Sequence, residues 1–236
     1  MKLFVGTSGY AYKEWKGSFY PERIRAEDML RFYAERFRTV EINNTFYRMP
    51  SASVLERWAG EVPERFAFVL KASRRITHDH RLRGVEDAVR YFLETAAGLK
   101  SKLGPILFQL PPNMKKDLPR LQEFLSLVGP PHRAALEFRH ASWYDDEVME
   151  ALRAHQAALC LADTEEGEDA PLVSTCPWGY LRLRRPSYAD AELRTWGERV
   201  RAQGWQEAFV FFKHEDEGTG PKLAARFAEL SGLKAD

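Results

Sequence analysis

Several polar residues of this chain stand where a protein core rejects them. Glu41 and Asn43 close the run 39–43, Lys71 closes 66–71, Gln109 closes 106–109 and Glu137 with Arg139 closes 134–139. Asp163 ends the run 158–163, Arg182 lies in 179–184, and Lys213 follows Phe211 and Phe212. A buried carboxylate or ammonium is costly unless it is paired. Repetition of that cost at the ends of successive apolar runs predicts one shared polar site. Side chains alternate along a strand, so Glu41 shares a face with Asn43, Glu137 with Arg139, and Tyr180 with Arg182 and Arg184. Glu41 and Glu137 form a candidate acid–base pair, one protonated and one ionised, as glycoside hydrolysis requires. The alternative is that Glu41 pairs with Lys71 or Arg139 and is structural. Asp163 is a third candidate acid, base or metal ligand. Lys71, Arg139, Arg182 and Lys213 can stabilise negative charge. Lys71 can also form a Schiff base if its pKa is depressed, but neighbouring carboxylates favour its charged form.

Other chemistry lies in loops. Gly6-Thr7-Ser8-Gly9 offers backbone N–H groups and two hydroxyls, a turn that can cradle an anion. It lacks the Gly-Lys-Ser/Thr of a phosphate-binding P-loop. His78 and His80 alternate in the loop after Lys71 and suit a divalent metal completed by Asp163 or Glu137. Acid–base or hydrogen-bonding use of His78 is favoured over metal ligation. His140 has similar standing, and His155 reads as a surface residue. Tyr10, Tyr12, Trp15, Phe19 and Tyr20 crowd the stretch 7–21, with Phe46 and Tyr47 further on. They form either a wall over a ligand or a packed rim.

Strands and helices must position these groups. Eight strand-like runs begin near Leu3, Thr39, Phe66, Pro105, Arg133, Ala157, Gly179 and Glu207, and helical periodicity fills most of the intervals. The helices are expected over 26–37, 51–60, 85–103, 117–128, 145–155, 190–203 and 221–230. Strict alternation implies a parallel sheet, and eight repeats imply a closed TIM-type (β/α)8 barrel, a single domain over 1–236. Such a barrel carries its site at the C-terminal ends of its strands, where the polar residues fall. The apolar fraction of 44% fills a core, and Lys+Arg 35 against Asp+Glu 34 gives no global attraction to nucleic acid. Cys160 and Cys176 have no metal or disulfide spacing. Without a membrane-length apolar run or a signal-peptide pattern, a cytoplasmic protein is expected.

The motifs GTSGY (6–10), VEINNTFYR (40–48), KASRRITHDHRL (71–82), LGPILFQLPP (103–112), EFRHASW (137–143) and ADT (162–164) occur in an order that resembles the YecE-like family, a domain of unknown function (number 72). The resemblance implies a TIM barrel and strengthens Thr7, Ser8, Tyr10, His78 and Trp143 as site residues. It implies no reaction. Two departures stand out: Lys213-His214 replaces paired asparagines common after the last strand, and Arg184-Arg185 replaces a common His-Gly. The resulting expectation is an enzyme acting on a small anionic or sugar-like ligand. The alternatives are a binder or nuclease of nucleic acid that uses basic strand ends and loop aromatics, and a metal-dependent isomerase or hydrolase. No cofactor, metal or oligomeric state is assigned.

Overall fold

A computed structural model of the chain describes residues 1–165, 167–168, 170–213 and 216–232. His214 lies outside the described residues. Eight parallel strands form the barrel: β1 (Lys2–Ser8), β2 (Thr39–Ile42), β3 (Ala67–Lys71), β4 (Leu103–Gln109), β5 (Ala134–Glu137), β6 (Ala158–Thr164), β8 (Trp178–Leu183) and β9 (Glu207–Phe212). They run in the order β5-β4-β3-β2-β1-β9-β8-β6, and β5 pairs with β6 to close the ring. The two-residue β7 (Gly167–Glu168) turns back antiparallel on β6. Helices α1 (Met29–Ala34), α2 (Ala52–Glu61), α3 (Glu86–Ala96), α4 (Leu118–Val128), α5 (Asp146–Ala154), α6 (Asp190–Ala202) and α7 (Thr219–Leu230) surround it. Among the described residues, β6 is joined to β8 through β7 and loop rather than through a helix.

Local chemistry explains these elements. The barrel strands are buried on both faces, so they read as apolar runs rather than alternating ones. Asp145 starts α5 by accepting from Val148 N at 3.0 Å, and Asp117 caps α4 in the same way through Arg120 N at 3.2 Å. Pro105 sits inside β4, where it has no N–H to give. The β3–β4 register accordingly slips between Phe68↔Leu103 and Leu70↔Ile106, leaving an extra residue on β4.

The alternation of side chains divides each strand between two cores. Leu3, Val5, Val40, Leu70, Phe108, Leu136, Leu159, Leu161, Leu181 and Val210 join the core beneath the helices. Ala67, Val69, Leu107, Ala135, Ala158, Cys160, Tyr180, Phe209 and Phe211 fill the barrel itself. Phe4 stacks on Phe209 with centroids 4.6 Å apart, and Trp178 meets Phe209 edge-on. Arg133 lies against both Phe209 and Trp178 and is paired to Glu207 at 2.6 Å, so rings and an ion pair close the N-terminal end.

Candidate functional site

The opposite, C-terminal end is polar inside. Glu41 ends the inward-facing set of β2, Glu137 that of β5, and Arg182 that of β8. All three side chains are fully or almost fully buried. The Arg182 guanidinium forks between the two carboxylates, with Nη2 donating to Glu41 Oε1 at 2.8 Å and Nη1 to Glu137 Oε2 at 2.7 Å. Tyr180, one turn of alternation deeper on β8, donates its hydroxyl to Glu41 Oε2 at 2.6 Å, and Asn43 Nδ2 donates to Oε1 at 3.1 Å. Ser8, at the end of β1, faces inward on the Glu41 side with its buried Oγ outside hydrogen-bond geometry. Gln109 Nε2 donates to Glu137 Oε1 at 2.7 Å, and its Oε1 accepts from Lys71 Nζ at 2.9 Å. One hydrogen-bonded chain thus runs from β8 to β3 across the mouth.

The turn that follows β1 depends on Gly9. Its φ of 96° suits glycine, its N–H donates to Glu41 O at 2.8 Å, and a Cβ there would collide with the Tyr12 hydroxyl and ring.

These contacts set the ionisation. Burial pushes the Glu41 carboxyl up, but Arg182 and the hydrogen bonds from Tyr180 and Arg182 outweigh it and hold it at about 2, from an ordinary 4.5. Burial also opposes ionisation of Glu137, and Arg182 with Gln109 again prevails and lowers its pKa. Both carboxylates are therefore ionised at neutral pH, which corrects the expected pairing of one protonated and one ionised group. Neither pairs with Lys71 or Arg139. Their partner is Arg182, which the sequence had assigned to a ligand. Lys71 departs from expectation in the other direction. Burial, reinforced by Arg182, outweighs the pull of Glu137 and Glu41 and lowers its pKa from 10.5 to about 8. Its Nζ sits 4.3 Å from the Phe46 ring centroid. His78 approaches the same ring edge-on at 4.9 Å, with Nδ1 2.8 Å from Thr77 Oγ1, and burial together with Lys71 and Arg74 lowers its pKa. Arg184, next inward after Arg182, is also lowered, by burial and by Arg182.

Several expected site residues lie elsewhere. Asp163 is odd-numbered on a strand whose even residues Ala158 and Cys160 face inward. It points to the outside, where its Oδ2 accepts from Arg185 Nε at 3.0 Å and from Tyr188 at 2.8 Å. It therefore cannot complete a metal site with His78, and His80 is exposed. Thr7 also faces outward. Its hydroxyl donates to Gly9 O at 2.6 Å, and its N–H donates to Tyr33 Oη at 2.9 Å. Trp143 is fully buried, stacked 4.7 Å from Phe138, with Nε1 donating to Met114 O at 2.7 Å. Arg139 stands exposed at the rim, Lys213 is partly buried at the end of β9, and His140 accepts locally from Ser142 N. Trp15, Phe19, Tyr20, Tyr33 and Phe37 interlock as a packed rim. Tyr47 remains the exposed loop aromatic. Tyr10 and Tyr12 line a cavity of about 150 Å³ with Asn43, Asn44 and Trp58 beside the mouth. A larger cavity of about 500 Å³ lies outside the barrel between α1 and α7. Leu3, Val5, Phe19 and Phe37 give it an apolar floor, Arg36, Arg38 and Lys222 also line it, and it shares no residue with the barrel mouth.

Tyr180, Arg184 and Phe46 belong to the mouth but were not expected as site residues. Tyr180 and Arg184 share the alternation of Arg182, which is the signal that identifies them. Phe46 had none beyond its place in an aromatic loop.

The model of the family "Protein of unknown function DUF72" matches residues 4–236 of this sequence. The chain belongs to the DUF72 family. The protein YecE of Escherichia coli K12 is 32% identical over 143 residues, which cover 60% of this chain and 50% of YecE. The chain thus spans about half the length of the curated relatives it matches. A DUF72 protein from Thermotoga maritima superposes with a TM-score of 0.83 at 27% identity over 98% of this chain and 99% of the other. A glycoside hydrolase family 5 enzyme from Prevotella bryantii superposes with a TM-score of 0.53 at 10% identity, covering 97% and 96% of the two chains, and shares the fold alone. No helix among the described residues of this DUF72 protein is long and apolar enough to cross a membrane.

The ion triad makes the DUF72 mouth sensitive to acid. Glu41 ionises at about 2 in the fold and 4.5 when unfolded, so its contribution is complete above pH 4.5 and fades as pH falls towards 2. A difference of that size corresponds to about 3 kcal/mol. Urea unfolding across that range is expected to show the loss. A Glu41→Gln variant should show a shallower dependence on pH there.

Proposed function

We propose that this protein is an enzyme that holds a small anionic metabolite, bearing a phosphate or carboxylate, over the barrel mouth. The observation that carries this reading is the division of charge. Arg182 takes up both interior carboxylates, whereas Lys71 has only the neutral Gln109 amide as its hydrogen-bond acceptor. Among the described residues no carboxylate lies within ion-pair distance of Lys71. A half-buried ammonium without a counterion is the complement of an anion. Arg139 at the rim and Arg184 inside add to the same field.

Two ionised carboxylates locked to one guanidinium have no proton to give, which argues against a glycosidase pair despite the shared fold. Lys71, lowered to about 8, and His78, lowered by burial and by Lys71, take the acid–base role instead. The rim packing of Trp15, Phe19 and Tyr20 takes three of the loop rings that stacking on nucleic acid would use and leaves Tyr47 exposed.

Calorimetric titration with inorganic phosphate tests the reading. A charge-assisted hydrogen bond contributes about 1.5–3 kcal/mol, so Lys71→Met is expected to weaken phosphate binding by about tenfold or more. Equal affinities would remove Lys71 from the site, and no binding by either protein would remove the anion.

A further inference from the structure

We propose that Lys71 is a covalent centre that condenses with the carbonyl carbon of an anionic oxo compound, a 2-oxo acid or a phosphorylated aldehyde, to form an iminium. The ligand's charge rests on the anion-binding reading above. The amine chemistry rests on the surroundings of Nζ.

Those surroundings suit a nucleophile. Lys71 closes the inward face of β3, so its stem is held by the barrel and its head reaches the mouth. A lysine locked to a carboxylate has its lone pair protonated permanently. Here Arg182 has already taken Glu41 and Glu137, and the Lys71 head is oriented by one 2.9 Å bond to Gln109 Oε1. The Phe46 ring lies 4.3 Å from Nζ on another side. Burial and the positive charge of Arg182 lower its pKa to about 8, so a useful fraction is neutral near physiological pH. His78 lies on the edge of the same ring, but its lowered pKa makes it a weaker base than Lys71, so the proton that Lys71 sheds passes to solvent.

The step balances without an oxidant or reductant. The neutral amine attacks the carbonyl carbon, a C–N bond forms, and the π electrons pass to oxygen, which takes up a proton. The carbinolamine then loses its oxygen as water while the nitrogen lone pair completes the C=N bond. The net change is an ammonium plus a carbonyl giving an iminium plus water. The iminium draws electrons from the adjacent carbon, which places proton abstraction or carbon–carbon cleavage next to a carbonyl within reach of this site.

Trapping of the full chain with pyruvate, and separately with glyceraldehyde 3-phosphate, in the presence of sodium borohydride tests this. Peptide mapping by mass spectrometry then locates the secondary amine. Lys71 is expected to be modified about tenfold faster at neutral pH than the exposed Lys13 or Lys115, with half-maximal trapping at about pH 8. Lys71→Arg keeps the charge and lacks the nucleophile, so it should bind inorganic phosphate and lose the label. Modification of Lys71 no faster than Lys13, with phosphate binding intact, would overturn the imine and leave the anion site standing. Loss of phosphate binding in the wild-type protein would overturn the anion site as well. If Lys71→Arg does not fold, the wild-type map and its pH profile still decide the matter.

Discussion

Arg182→Met is expected to cost at least about 3–5 kcal/mol of stability at neutral pH, the usual penalty for removing one partner of a buried ion pair. Two carboxylates lose their partner here, so the effect should lie at or beyond the upper end. Glu41 and Glu137 would be left with hydrogen bonds from Tyr180, Asn43 and Gln109 and only the more distant charges of Lys71 and Arg184. Burial would then dominate and raise both carboxyl pKa values above their unfolded ones. The pH dependence should reverse: the variant gains stability as pH falls through those raised values, whereas the wild-type protein loses it between pH 4.5 and 2. Adding Glu41→Gln and Glu137→Gln removes the stranded charges and is expected to recover most of the loss. Urea midpoints at neutral and acidic pH measure all of this. A loss below about 1 kcal/mol in the single variant would show that the triad is not what holds the mouth.

The second large effect has the opposite sign. Lys71→Met is expected to stabilise the protein at neutral pH while it weakens anion binding. Lys71 ionises at about 8 in the fold and 10.5 in the unfolded chain. Below pH 8 both states are protonated, and the fold bears the full cost of a poorly solvated charge. Between 8 and 10.5 the folded chain sheds its proton first and the cost shrinks. Above 10.5 both are neutral and the cost is absent. A difference of that size is worth about 3 kcal/mol, and loss of the bond to Gln109 offsets about 1 of it. A net gain of about 2 kcal/mol at neutral pH, shrinking towards about pH 10, is therefore expected in urea unfolding. Phosphate should raise the wild-type midpoint and raise that of Lys71→Met less. A variant less stable than wild type at every pH would mean that Lys71 is a structural partner of Gln109. Stability given up at a site in exchange for function is a common pattern in enzymes.

The barrel was legible in the sequence because each strand is a short apolar run ended by a polar residue, and all eight starting points fall within two residues of the observed ones. The mouth was partly legible for the same reason: Glu41, Asn43, Lys71, Gln109, Glu137 and Arg182 meet in one network. Asp163 shows where the rule was applied too loosely. Its position at a strand end is right, but the period of two along Ala158, Cys160 and Ala162 sends it outward. Trp143 came in through a motif whose tryptophan is a packing residue. Choice of partner was beyond the sequence. Charges that balance on paper do not reveal that one guanidinium satisfies two acids, and that choice is what leaves Lys71 uncompensated. Phe46 was hidden because its ring reaches Lys71 from a loop with no periodicity.

The ring-stacked floor of Phe4, Trp178 and Phe209 beneath Arg133 makes the barrel a blind vessel with a single doorway. A ligand of Lys71 enters at the C-terminal end and departs by the same route. In the proposed enzyme, reactant and product take turns rather than pass through, and a product analogue is expected to compete with the reactant instead of binding beside it.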